Sequence, residues 1–186
     1  MNSSVSAVVQ QGREVFASEL LDHLRSAATA PPKLWHRGID PSRYCRNMRD
    51  EIGSDPDTLI AAGGLWRVVL NRNQNLLGRS MIVLSREETD VTRITTDEWI
   101  ELRLQILRVK GALDSLFKPD HYNYAFLMNQ DAQVHLHVIP RYRRHRDWNG
   151  RRFWDRHFSS MVRPDSRILE RNDLARLTAE IAGALG

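Results

Sequence analysis

The stretch "NQDAQVHLHVIPRY", residues 129–142, alternates between polar and apolar side chains. Gln133, His135 and His137 occupy odd positions, and valine or leucine occupies the even positions between them. A period of two is typical of a β-strand with one buried side and one solvent-facing side. The pattern therefore predicts a half-buried strand that presents one amide and two imidazoles to an open cleft.

Two β-rich segments precede this strand, "LWRVVLN" (65–71) and "SMIVLS" (80–85). The eight residues "RNQNLLGR" between them favour an antiparallel pair. "HYNYAFLM" (121–128) supplies a further strand, with four residues separating it from the strand at 133–141.

A long helix is predicted between the two strand pairs, in "TTDEWIELRLQILRVKGALDSLF" (95–117). Thr95 followed by Glu98 fits a capping box. Apolar residues recur at steps of three and four, which predicts one buried stripe. The stripe consists of Trp99, Leu102, Ile106, Val109, Leu113 and Leu116.

Both ends of the chain carry amphipathic segments, at residues 8–28 and at about 172–185. We expect an N-terminal helical extension over 1–60, a central domain over 61–145, and a basic and aromatic loop with a C-terminal helix over 146–186. The β-β-α-β-β order predicts an α+β fold with an antiparallel sheet.

The composition excludes several classes of protein. With 186 residues, 41% apolar and 27% charged, the chain fits one globular domain. No apolar run approaches the roughly 20 residues of a membrane-spanning helix, so no membrane partner is expected. The first residues lack a basic segment ahead of an apolar one, and Cys45 is the single cysteine, so we expect a cytoplasmic protein without a disulfide.

Arginine supplies nearly all of the positive charge, and residues 141–157, "RYRRHRDWNGRRFWDRH", carry seven arginines among aromatic residues. Such a segment could bind a nucleic-acid backbone or an anionic nucleotide. A solvated loop paired with Asp147 and Asp155 is the alternative, and we favour it.

The histidine face is compatible with three interpretations. A metal site would need further ligands, and the candidates are His121 on the neighbouring strand and the remote Cys45. The histidines could simply be exposed strand residues. The third interpretation is nucleophilic catalysis, in which one imidazole nitrogen is held by a fixed acceptor and the other attacks.

"QVHLHVIPRY" resembles the signature strand of the histidine triad (HIT) superfamily of nucleotide hydrolases and transferases, whose pattern is His-φ-His-φ-His-φ-φ. "LNRNQNLLGRSMIVL" (70–84) is similar to the first hairpin of that family. The long helix and "NYAFLMNQD" (123–131) follow in the family's order. The resemblance covers roughly residues 63–142 and is closest to the diadenosine-polyphosphate hydrolase (Fhit-like) branch. It implies a sheet of about five antiparallel strands with the long helix packed on it.

The resemblance also implies roles for the strand residues. His135 would attack the α-phosphorus and form a nucleotidyl-histidine that water hydrolyses, and His137 would contact phosphate oxygens and assist the leaving group. Gln133 stands at the first triad position, where the family has histidine. An amide can donate and accept hydrogen bonds but cannot carry a proton as imidazole does, so only an orienting role is expected there.

Substrate-binding residues follow from the same resemblance. Asn71 matches an asparagine that binds the ribose, and Gln130, or alternatively Asn129, matches an amide directed at the scissile phosphate. Leu70, with Trp66, is a candidate wall of the base pocket. The resemblance implies a homodimer. The sequence requires no cofactor or metal, although a divalent cation could accompany the nucleotide.

The sequence therefore predicts a hydrolase that cleaves a nucleotide conjugate, such as a dinucleoside polyphosphate or a phosphoramidate, at its α-phosphate. One alternative is a nucleotidyltransferase or phosphorylase of the same superfamily. Another is a nucleotide-binding protein with weakened catalysis. A third, less favoured, is an enzyme that processes nucleic-acid ends with the help of the arginine-rich segment.

Overall fold

The computed structural model describes residues 55–129, 131–163 and 165–186. The helix predicted over 8–28, Cys45 and the candidate residue Gln130 lie outside the described residues. Within them the fold is α+β, as predicted.

The main sheet has five antiparallel strands, which are β1 (Leu59–Ala61), β2 (Trp66–Leu70), β3 (Ser80–Leu84), β4 (His121–Ala125) and β5 (His135–Arg141). Their order across the sheet is β1-β2-β3-β5-β4. The short strand β1 was not singled out from the sequence, because three residues are too few to show a period of two. It crosses the predicted boundary between residues 60 and 61.

The long helix, α1 (Thr96–Phe117), begins with the predicted capping box. The Glu98 carboxylate accepts from the Thr95 N–H at 2.7 Å, and the Glu98 N–H donates to the Thr95 hydroxyl at 3.3 Å. The centre of the predicted stripe is buried, but its ends are wrong: Trp99 is 45% exposed and Leu116 is 38% exposed. The stripe ends on Glu98 and Phe117 instead. The hydrophobic pattern of the sequence does not identify Glu98 as a core residue, because its burial depends on its ion pair with Arg86.

Two residues, Gln74 and Gly78, determine the shape of the turn between β2 and β3. Gly78 has a φ of +82°, and a Cβ there would lie 2.7 Å from Leu113 Cδ2 on α1, so only glycine fits. The Gly78 N–H donates to the Gln74 amide oxygen at 2.8 Å, and the Gln74 amide nitrogen donates to the Arg79 carbonyl at 2.8 Å. This turn fixes the positions of the residues on either side of it.

Part of the arginine-rich segment forms a hairpin, where the sequence predicted a loop. Its strands are β6 (Arg146–Trp148) and β7 (Arg151–Phe153). Asn149 and Gly150 connect them with φ of +46° and +69°, as in the tight turns that favour an Asn-Gly pair. Trp148 and Phe153 are buried and pack edge to face with ring centroids 6.4 Å apart.

The C-terminal segment is anchored to the sheet. Arg141 at the end of β5 pairs with Asp155, with Nε and Oδ2 2.6 Å apart, and both side chains are 3% exposed. The chain ends in α2 (Arg171–Ala184), which buries Leu174, Leu177 and Ile181 in the same core as α1. Neither helix of the described chain combines the length and apolarity that a bilayer crossing requires.

Candidate active site

The two histidines of β5 lie on the sheet face opposite α1. Leu136 and Val138 belong to the large core cluster that includes the buried side of α1. His135 is opposite Val83 in the β3–β5 register, and His137 is opposite Met81. Val83 and Met81 form a separate small cluster with Val69. The alternation in the sequence therefore places the two imidazoles on one face, as the period of two predicted.

The strand is not half buried, however, because every residue of β5 is buried. His135 is 3% exposed and His137 is 9% exposed. The prediction of a solvent-facing side with an open cleft is wrong. An alternating pattern indicates which side chains share a face, but it does not indicate whether that face is exposed. In this sheet β5 lies between two other strands, and apolar side chains of neighbouring strands share the face of its histidines.

His135 is held in one tautomer. Its Nδ1 lies 2.7 Å from the main-chain oxygen of Gln133. A carbonyl oxygen only accepts, so Nδ1 carries the hydrogen and Nε2 has a free lone pair. That lone pair faces His137 Nε2 at 3.1 Å, so His137 Nε2 carries the hydrogen between the rings.

Both imidazoles are neutral near pH 7. Burial lowers the pKa of His135, and the hydrogen bond to the Gln133 carbonyl opposes this effect. Burial, His135 and the Arg79 charge together lower the pKa of His137 to about 4. A neutral imidazole with one nitrogen tied to an acceptor is the form that acts as a nucleophile.

Among the described residues, the Gln133 side chain forms no hydrogen bond with either histidine. It is 1% exposed, and its amide nitrogen donates to the Leu84 and Arg86 carbonyls, both at 2.8 Å. The amide oxygen receives a long hydrogen bond of 3.5 Å from the Glu88 N–H. The side chain thus fastens the start of β5 to the end of β3, and only its main-chain carbonyl orients His135.

Asn71 contacts the neighbour of His137 in the sheet. It follows β2, and its amide nitrogen contacts Met81 Sδ at 3.5 Å, while Met81 is directly opposite His137 in the sheet. Its main-chain N–H donates to the Arg79 carbonyl at 3.0 Å. Asn129 is exposed in the connection between β4 and β5.

Leu70 and Trp66 are not brought to this face. Both belong to the core cluster on the α1 side of the sheet, each 1% exposed. The Trp66 indole donates to the Glu98 carbonyl at 2.8 Å. Neither side chain is therefore in a position to wall a base pocket next to His135.

Arg79 lies close enough to His137 to affect its pKa, and the sequence analysis did not single it out. Burial lowers the pKa of its guanidinium, and its charge lowers the pKa of His137. Arg79 Nε and His137 Nδ1 are buried without a hydrogen-bond partner among the described residues. Arg79, Met81 and Val83 alternate along the sequence, so the period of two that identified the histidines could also have placed Arg79 on their face.

No group of three or more His, Cys, Asp or Glu side chains in the described segments is placed to hold a metal ion. His121, the candidate third ligand, is opposite Arg141, whereas His137 is opposite Ala125. Four residues of strand separate the two positions, which is about 13 Å.

Comparison with solved structures shows that this is the fold of histidine triad proteins. A Hit-like protein from Bartonella henselae, described as involved in cell-cycle regulation, superimposes with a TM-score of 0.58 at 14% identity, over 80% of this chain and 99% of that one. A histidine triad protein from Bradyrhizobium japonicum gives a TM-score of 0.54 at 20% identity, over 72% and 95%. A histidine triad protein from Sinorhizobium meliloti gives 0.54 at 18% identity, over 77% and 93%.

Neither a protein-family model nor a curated protein matches the sequence. The similarity to the solved structures therefore establishes the fold, with its five-stranded antiparallel sheet and packed helix. The Fhit-like branch and the residue roles remain predictions.

Proposed function

We propose that this chain is a nucleotide-binding enzyme of the histidine triad superfamily that cleaves a nucleotide conjugate at its α-phosphate. The observation that carries the proposal is the paired histidines. The Gln133 carbonyl fixes the hydrogen of His135 on Nδ1, and the free Nε2 lies 3.1 Å from an N–H of His137. The lone pair of the nucleophile and the N–H donor thus face each other, and a phosphate that enters between the two rings would meet both.

In the first step, the lone pair of His135 Nε2 attacks the α-phosphorus. The bond from phosphorus to the leaving group breaks, and the leaving group keeps the bonding electrons. His135 becomes a phosphorylated imidazolium whose Nδ1–H stays on the Gln133 carbonyl. His137 Nε2–H, which faces His135 in the free protein, donates instead to a phosphoryl oxygen.

In the second step, a water oxygen attacks the phosphorus from the side opposite His135. The phosphorus–nitrogen bond breaks and its electrons return to Nε2. The water's extra proton leaves to solvent, and a nucleoside monophosphate is released. Neutral His135 is regenerated in the tautomer with which it started.

Arg79 supports the choice of an anionic substrate. Its guanidinium is partly buried with Nε unpaired among the described residues, and its Nη1 donates to Asn75 Oδ1 at 3.2 Å. A buried cation is costly without an anion to compensate it, and a phosphate between Arg79 and His137 would supply that anion. Because His135 is only 3% exposed, substrate binding requires this face to open.

The test is a panel of dinucleoside polyphosphates, adenylyl phosphoramidates and acyl adenylates, with the products identified by mass spectrometry. We expect wild-type protein to release a nucleoside monophosphate from at least one conjugate. His135→Ala should lose at least about a thousandfold in turnover, and the matched variant His121→Ala should not change. Thermal unfolding checks that both variants are folded.

The panel also separates the alternatives. Reaction in ¹⁸O-water labels the monophosphate if water is the acceptor, whereas a transferase or phosphorylase joins the nucleotidyl group to an added acceptor and releases no labelled monophosphate. AMP binding without turnover of any conjugate would indicate a nucleotide-binding protein and refute the hydrolase. Wild-type turnover by His135→Ala would refute the nucleophile.

We also propose that the chain forms a homodimer through α1 and the edge strand β4. Ile100, Leu104 and Leu107 on α1 are 57%, 50% and 50% exposed. Trp99 connects this surface to the end of β4 by an edge-to-face contact with Phe126, with centroids 6.1 Å apart. An apolar helix face that continues to a strand edge with no partner among the described residues suits a two-fold contact with a second copy.

A further inference from the structure

A cavity of about 370 Å³ lies between the β2–β3 turn and the C-terminal segment. Asn75 and Leu76 line one side. Residues 152, 154–157, 162, 163 and 165–167 line the other. Four of these residues are arginines, at 152, 156, 163 and 167, and one is Trp154.

The charge of this segment is strongly positive. Residues 141–167 contain nine arginines and three aspartates, a net charge of +6 in a chain whose total is +4. Asp155 is used by the buried Arg141, and Asp147 is used by Arg152. The arginines at 156, 163 and 167 form no ion pair with any residue of the described ranges. Arg167 Nη1 donates to the Arg152 carbonyl at 2.5 Å, which is not an anion, so the positive charge of all three side chains is available to an external anion.

Trp154 adds a flat apolar surface to this charge. Its side chain is 60% exposed, although most large aromatic residues nearby are buried. The Arg156 guanidinium lies 5.5 Å from the ring centroid. An exposed indole beside unpaired arginines is the combination on which an unstacked nucleic-acid base is held, with its phosphates on the guanidinium groups.

Hydrogen bonds attach one wall of the cavity to the β2–β3 turn. The Arg167 guanidinium stacks over Phe153 at 4.1 Å. The Arg167 N–H donates to Asn73 Oδ1 at 2.8 Å, and its carbonyl accepts from the Gln74 N–H at 2.8 Å. The same turn carries Asn71 and Arg79, so this cavity and the histidine pair lie next to one structural element.

We propose that this cavity binds single-stranded nucleic acid. Arg156, Arg163 and Arg167 hold successive phosphates, and Trp154 stacks on one base. A double helix would not fit this arrangement, because its bases are stacked on one another and cannot reach the indole. This binding goes beyond cleavage at an α-phosphate and requires neither His135 nor His137.

The test is fluorescence anisotropy with a labelled single strand of about 12 nucleotides, measured over a range of salt concentrations. Three phosphate contacts predict a slope of about −2 in log K against log salt. Arg156→Gln/Arg163→Gln should weaken binding at least tenfold and make the slope shallower by about 1.4. Trp154→Ala should weaken binding at least fivefold and leave the slope unchanged.

The matched control is Arg93→Gln/Arg103→Gln, which removes the same charge from exposed positions near the start of α1, at the other end of β3. We expect its affinity to stay within about twofold of wild type, since only local contacts are tested. An equal loss in the control would overturn the proposal, because binding would then follow net charge alone. Equal affinity for a duplex would also overturn the proposal. So would unchanged binding by Trp154→Ala together with displacement of the strand by inorganic polyphosphate, because the site would then bind phosphate groups alone. His135→Ala should bind the strand normally, which separates this test from that of the enzymatic proposal.

Discussion

Replacing Gln133 by alanine tests whether this residue acts through its main chain or its side chain. The side chain donates to two carbonyls, at 2.8 Å each, and is 1% exposed. The contact with His135 comes from the carbonyl, which every residue has. We therefore expect Gln133→Ala to lower stability much more than catalysis.

The stability loss can be estimated from the hydrogen bonds. One of these bonds is buried and the other is partly buried, and each costs about 1–2 kcal/mol when lost, because the acceptor is left without its donor. Together they predict a loss of about 3 kcal/mol in the free energy of unfolding, which is less than the total for a typical domain. Gln133→His can donate one N–H when neutral, so about half of that loss is expected.

The measurement is urea unfolding followed by tryptophan fluorescence, combined with steady-state kinetics on the best substrate of the panel. Gln105→Ala, on the surface of α1, is the control and should stay within about 0.5 kcal/mol of wild type. Turnover of folded Gln133→Ala should stay within about fivefold of wild type. Wild-type stability combined with a loss of turnover above about a hundredfold would refute the main-chain role.

Three further predictions concern pH, the buried ion pair and the dimer. The pKa of His137 is about 4 when folded and near 6.5 when unfolded, so the unfolded chain takes up the proton first as pH falls. The free energy of unfolding, measured by urea unfolding at each pH, should drop by about 3 kcal/mol between pH 6.5 and 4. An equal drop in the His137→Gln variant would contradict this prediction. Asp155→Asn should cost about 3–4 kcal/mol because it leaves the buried Arg141 charge unpaired, and a loss below about 1 kcal/mol in urea unfolding would contradict that. Leu104→Glu should convert the homodimer to a monomer in sedimentation without changing monomer stability, and a monomeric wild-type protein would refute the dimer.

The sequence predicted most of the sheet because its signals are local. The period of two in β5 and the capping box at Thr95 depend only on neighbouring residues, and the structure contains both. The β6–β7 hairpin was missed although Asn149-Gly150 is a strong turn signal. The density of arginine around it suggested a solvated loop.

Burial was the property that the sequence could not supply. Alternation placed His135 and His137 on one face, but both rings are buried rather than open to solvent. Leu70 was expected at the site and lies on the α1 side, because one residue along a strand changes the face. Alternation along β3 could have placed Arg79 on the same side as Met81 and Val83, but its effect on His137 depends on the pairing of β3 with β5, which no local pattern reports.

The most direct test of the central claim is the capture of the covalent intermediate. Wild-type protein is mixed with substrate, quenched within milliseconds at alkaline pH, which preserves a phosphorus–nitrogen bond, and analysed by intact mass and peptide mapping. We predict one nucleoside monophosphoryl group on His135, formed and consumed at rates that match turnover, and absent from His135→Ala. Turnover without such an adduct, or an adduct on another residue, would contradict the account.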